Sequence, residues 1–323
     1  MSHRDAERTA EEPKRKSRNG TVAVRATVAA ARPEKLRSVT VIYVYGDDGA
    51  DEKKERVRAV AVIAGTEEWW QRVEDDWVVR CGGIPFHATD CESNRKDYES
   101  VPHDETKAMY RDLTGILAAS SLGGIGVAID VTAQKKIMPG ALPLGYYRAF
   151  LECIERAANV GQNLKDVAKL TFDISTEDEY NATVLYKWAR DTDPRLRQWL
   201  DPEIAFVHWR DSPRVQAADL LAFEAWKALD HTVGPVRRKR RSWELLRATQ
   251  RFETLSYSEQ WFTDYKKHLD SGELEKIVGF NVDDYRQWLR ENNRQHSTSN
   301  LFHFLEWIGN AMKKENDKHV AKA

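Results

Sequence analysis

The chain has 323 residues, 41% of them hydrophobic and 31% charged, with a net charge of −1. This balance suits a soluble globular protein and excludes partner selection by overall charge, so any affinity for nucleic acid must come from local basic patches. Three cysteines without a Cys-x-x-Cys pair argue against a disulfide framework or a cysteine zinc site and point to a reducing cytoplasm, the charged N-terminus is not expected to be a secretory signal, and no apolar run approaches the roughly 20 residues that span a bilayer.

Residues 1–36 are rich in Arg, Lys, Glu and Ala without sustained periodicity, which reads as a disordered or loosely ordered charged arm. From Ser38 the pattern changes. "VTVIYVYG" (39–46) and "VRAVAVIAG" (57–65) are strand-like runs separated by the charged stretch "DDGADEKKER" (47–56), which reads as a hairpin. "TEEWWQRVEDDWVV" (66–79) follows as a helix capped by Thr66, with Trp69 or Trp70, Val73 and Trp77 at helical spacing. "IPFHATD" (84–90) reads as a strand or loop, and 104–120 as a helix.

Strands and helices then alternate: strands at 124–131, 167–174 and 203–209, helices at 146–160, 178–191 and 212–229, the last with Pro213 in its first turn. A hairpin followed by alternating elements predicts an α/β domain over 37–235, a mixed sheet flanked by helices. Only helical patterns are read in 236–323, ending with the stripe Leu301, Phe304, Leu305, Ile308 and Met312, so this part is expected to be a helical C-terminal region.

Three hydrophobic runs end in or near an aspartate: Asp47, Asp130 and Asp173. If their strands are neighbours, the carboxylates converge, and hard oxygen ligands suit Mg²⁺. Asp also starts turns and caps helices, so each residue alone admits a purely structural reading. Asp219 lies beside the apolar stripe of the 212–229 helix, with Gln216 on the same side. An acid there must be solvated, paired or metal-bound, and Arg214 is the nearest candidate partner. His87 in "PFHATD" suits phosphate binding or general-base work, or simply a backbone bond. The run Arg237, Arg238, Lys239, Arg240 and Arg241 suits phosphate, or else a solvated helix start. There is no P-loop, no G-x-S-x-G and no H-E-x-x-H, and "LGGIG" (122–126) precedes a strand, unlike a dinucleotide loop.

The order of these motifs, above all "SPRVQAADLLAFEAWK", "FHATD" and "LTFDIS", resembles a family of bacterial and phage proteins known as domain of unknown function 3800, over roughly residues 38–265. The resemblance implies a ribonuclease H-like fold and a nuclease-like aspartate site around Mg²⁺ or Mn²⁺. Carried over by motif, Asp47, Asp173 and Asp219 are the principal acids, with Asp130 or Asp48 as a fourth. His87, Gln216 and the 237–241 run would contact the substrate. The first motif departs from the family pattern: "YGDDGA" lacks its Ser, and the acids arrive late in the turn. The expected activity is phosphodiester hydrolysis by a two-metal site. The alternatives are a catalytically degenerate scaffold that binds nucleic acid, or a partner protein through the C-terminal helical region, in a defence or mobile-element system, and an enzyme acting on small phosphorylated molecules. These motifs assign no oligomeric state.

Overall fold

The computed structural model describes residues 41–51, 53, 55–138, 144–174, 179–234 and 239–270. The charged arm, Arg237, Arg238 and the helix expected near 300–314 lie outside the described residues.

The β-branched and aromatic runs open the sheet as expected. β1 (Ile42–Ala50) pairs antiparallel with β2 (Val57–Thr66), from Ile42↔Thr66 to Ala50↔Arg58. The turn is therefore shorter than predicted, and β1 runs through both acids because β2 offers partners as far as Arg58. Asp51 organises the turn instead. Its carboxylate accepts from the backbone N–H groups of Glu55 (3.2 Å), Arg56 (2.9 Å) and Val57 (2.9 Å), a side-chain substitute for missing backbone partners.

α1 (Glu67–Cys81) follows, burying Trp70, Val73 and Trp77 and ending at Gly82 in the left-handed region at φ 59°. "IPFHATD" makes no strand: His87 stands just before the short helix α2 (Ala88–Ser93), a 3₁₀ turn η1 (Lys96–Tyr98) follows, then α3 (His103–Ala119). β3 (Gly123–Asp130) leads into α4 (Val131–Ile137), and α5 (Leu144–Leu164) into β4 (Ala168–Asp173). Next come α6 (Glu179–Thr192), the short α7 (Pro194–Trp199), β5 (Leu200–Val207), the 3₁₀ turn η2 (Trp209–Asp211) and the long α8 (Pro213–Val233). α9 (Arg241–Ala248), β6 (Phe252–Tyr257) and α10 (Glu259–Asp270) complete the described chain.

The six strands lie in the order β5-β4-β1-β2-β3-β6. β1, β2 and β3 form an antiparallel meander, while β4 runs parallel to β1, β5 to β4, and β6 to β3. The mixed α/β sheet agrees with expectation. β6 does not: "FETLSY" falls in the part read as purely helical, yet it hydrogen-bonds to β3 from Gly124↔Phe252 to Ile129↔Tyr257. Its pattern is too short and polar to reveal a strand; the unpaired edge of β3 supplies the partner that makes it one.

Two cores cover the two faces. One joins Val44, Leu170 and Phe172 to α5, α6 and α7 through Phe150, Leu185 and Leu196. The other joins Ala61 and Ile63 to α1, α3, α8 and α9 through Trp70, Leu113, Leu221 and Leu246. α8 is the centre of the second. Every residue from Val215 to Trp226 is buried, so the helix is enclosed all round rather than amphipathic. It lies close to the sheet because glycine faces it: a Cβ on Gly126 would collide with the Ala225 Cβ, and one on Gly124 would stand 2.8 Å from Leu221 Cδ2. This is the structural use of "LGGIG". Gly126→Val is expected to destabilise the fold by about 1–3 kcal/mol through overpacking, read as a lower urea midpoint with an unchanged m-value.

Candidate functional site

Strand alternation brings the acids together. Tyr43 and Tyr45 pack toward the α8 side, so Asp47 points the same way. On β4, Leu170 and Phe172 belong to the opposite core, so Asp173 also turns toward α8. Gly46 pairs in parallel with Phe172, which makes Asp47 and Asp173 the next residues along neighbouring strands. β4 ends there while β1 continues to Ala50. α8 brings Asp219 to the same place.

Each acid is held by a main-chain donor. The Asp48 N–H donates to Asp47 Oδ1 (2.7 Å), the Trp209 N–H to Asp173 Oδ1 (2.7 Å), and the Ala88 N–H to Asp219 Oδ2 (2.6 Å). None of the three forms an ion pair with Lys or Arg among the described residues. Arg214, the partner expected for Asp219, instead binds Glu67 (2.6 Å) and Glu74 (2.7 Å).

The unpaired charges raise one another's pKa. Burial pushes Asp47 well above the ordinary carboxylate range, and the charges of Asp219, Asp173 and Asp48 push further. Burial also raises Asp219, to about 6; His87 and the Ala88 N–H restrain the shift, while Asp173 and Asp48 add to it. Asp173 is raised by burial and partly relieved by the Trp209 N–H and His208. Asp48 starts from the opposite strand face and contributes through its charge.

Asp130 is not part of the group. In register it faces Val57, whereas Asp47 faces Ala61, so it lies four residues further along the sheet, roughly 13 Å. Its carboxylate caps α4, accepting from the Ala133 N–H at 2.8 Å, the structural role that Asp commonly fills.

His87 does reach the site, since the N–H of the next residue, Ala88, donates to Asp219 Oδ2 at 2.6 Å. Its Nδ1 lies 2.8 Å from Asp90 Oδ2, which also meets Lys96 Nζ at 3.0 Å. Asn94 and Lys96 adopt positive φ, 53° and 50°, in the turn that makes this contact, a strained geometry for side chains with a Cβ. The His87 ring lies 5.1 Å from the Trp209 indole, over which the Arg210 guanidinium sits at 4.6 Å. Asp90 stands three residues after His87 in "PFHATD", whereas Lys96, His208 and Trp209 carry no motif of their own. The His-x-x-Asp spacing was the one available signal.

Two expected substrate contacts are structural. Gln216 is engaged at both ends: Oε1 accepts from Trp77 Nε1 (3.1 Å) and the Phe86 N–H (3.2 Å), and Nε2 donates to the Trp209 carbonyl (3.0 Å). It ties α1, the His87 segment and η2 together. Arg240 is also turned inward, donating to both oxygens of the fully buried Glu224 at 2.8 and 2.7 Å and pairing with Glu92. Lys239 and Arg241 are exposed.

Asp47, Asp173 and Asp219 offer the hard oxygen donors that Mg²⁺ or Mn²⁺ takes. As the side chains stand, no three His, Cys, Asp or Glu groups among the described residues are placed to hold one ion, so binding would draw the carboxylates together. Among the described residues no helix is long and apolar enough to cross a membrane, and all three cysteines are free and buried. No protein-family model and no curated protein matches the chain.

A carboxyl raised in the fold favours the folded state while protonated, and that support fades as pH rises from the unfolded value near 4 through about 6. Asp219→Asn is therefore expected to stabilise the metal-free protein at pH 8 by on the order of 2–3 kcal/mol. The gain should vanish near pH 4. Denaturant melts of both proteins across this range check it.

Proposed function

We propose that the chain is a divalent-metal-dependent nuclease with a ribonuclease H-like domain, related to the family of domain of unknown function 3800. The observation that carries the reading is the convergence of Asp47, Asp173 and Asp219 on one buried face, with raised pKa values and no Lys or Arg partner among the described residues. Acids kept apart from cations at a cost in stability are characteristic of functional sites. An antiparallel meander extended by parallel strands, with Asp173 at the end of β4 beside β1, suits this fold.

Asp47, Asp173 and Asp219 would hold Mg²⁺ or Mn²⁺. When bound, the metal would activate water and stabilise the leaving oxygen at phosphorus. The chain's own residues shape the rest. The Ala88 and Trp209 N–H groups fix the orientation of Asp219 and Asp173. The His87 Nδ1 lies 2.8 Å from Asp90 Oδ2 without hydrogen-bond geometry, and the other ring nitrogen suits a bond to substrate phosphate. Trp209 lies against the His87 ring with Arg210 over it, an aromatic and a cation that suit a nucleic-acid strand.

A second reading has its own support. The side chains as they stand do not form a coordination group, which favours a degenerate scaffold that binds nucleic acid or a protein without cleaving it.

Two measurements separate the readings. Under the nuclease reading, Mn²⁺ at a hundred times its Kd stabilises the protein by about 2.7 kcal/mol, and the shift is lost in Asp47→Ala but kept in Asp130→Ala. Cleavage of labelled DNA and RNA should require Mg²⁺ or Mn²⁺ and fall on the order of a hundredfold or more in Asp219→Asn, since a bound ion supplies several kcal/mol. A wild type that neither binds Mn²⁺ nor cleaves leaves the scaffold.

A further inference from the structure

The basic run leads to a second place on the molecule. Between the end of α8 and the start of α9 lies an open cleft of about 400 Å³, lined in part by His231, Lys239, Arg240, Trp243, Glu244 and Arg247. It is separate from the carboxylates, since α8 rises roughly 18 Å between Asp219 and His231.

Its parts differ in how they are used. Arg240 forms the back, with its charge already matched by Glu224 and Glu92. The side chains of His231, Lys239 and Arg247 form no ion pair or hydrogen bond with another described residue. Trp243 packs against the α8-side core and is only partly buried, so it also lines the cleft. Glu244 is the one acid in the lining, against the unpaired Lys239 and Arg247.

Unpaired cations beside a partly exposed indole meet two demands of one ligand. Phosphate takes Lys as a point charge and Arg through two parallel bonds. A nucleobase stacks on an indole whatever its sequence. The volume falls within the range of small-ligand sites. We propose that this cleft binds a nucleotide, with its base on Trp243 and its phosphate between Lys239 and Arg247. The source is either a unit of a nucleic-acid strand or a free nucleoside monophosphate. The assignment does not require the carboxylate site to be catalytic.

The test uses the full chain in EDTA, so that metal at the carboxylates plays no part. A fluorescent oligothymidylate is titrated by anisotropy, and adenosine monophosphate by calorimetry. The wild type should bind at least one probe. Lys239→Glu with Arg247→Glu should weaken binding tenfold or more. For an oligonucleotide, it should also make the log–log salt dependence shallower by about 0.7, the share of the one phosphate held there. Trp243→Leu keeps the apolar packing, and it should weaken binding roughly tenfold. Binding of both probes identifies a free-nucleotide site, and binding of the oligonucleotide alone identifies a strand site. The proposal fails if the wild type binds neither probe, or if both variants, folded by their melting curves, bind as the wild type does. Loss of cleavage with cleft binding intact would count against the nuclease reading alone.

Discussion

The backbone of α8 comes so near the sheet that a Cβ on Gly126 would collide with the Cβ of Ala225. That approach needs glycine on the strands and alanine on the helix, and it leaves no room for water between them. With α1, α3 and α9 on its other sides, the helix is cut off from solvent through most of its length. Every ionisable group on that stretch must then find an internal partner or suffer desolvation.

Two acids on this helix meet the constraint in opposite ways. Glu224 is fully buried and satisfied: Arg240 holds both its oxygens, while Tyr110 and Ser242 donate to Oε1 at 2.5 and 2.6 Å. Asp219, five residues earlier and also buried, has the Ala88 N–H and a nearby histidine but no Lys or Arg among the described residues. Its other neighbours are Asp47 and Asp173. The same helix could have accommodated a compensating Arg, as the Glu224 site demonstrates. The uncompensated charge at Asp219 is therefore a local feature of the site, not a general property of the fold.

The satisfied acid also supports the unsatisfied one. Arg240 joins Glu224 on α8 to Glu92 on α2, and α2 begins at the Ala88 N–H that binds Asp219. Gln216 does similar work from the other end, holding the segment before His87 and the turn that carries Trp209. Residues first read as substrate contacts thus hold the frame in which the acids sit. A basic run in a sequence says nothing about which of its members face inward.

The sequence by itself determined the strands of the meander, the helix after Thr66, the central helix behind Ser212 and Pro213, and three of the acids that converge. These follow from hydrophobic period, capping residues and strand ends, all local properties of the chain. β6 was not legible, because a short polar strand exists only through its partner β3. Nor was the extent of β1, which depends on how far β2 can pair with it. Tertiary structure alone separated Asp130 from Asp47 and Asp173, since strand register decides which strand ends meet. It alone assigned Arg240 and Gln216 to the interior, and brought His87, Asp90 and Trp209 to the acids. Contacts between residues a hundred positions apart are set by packing and register, and no local pattern encodes them.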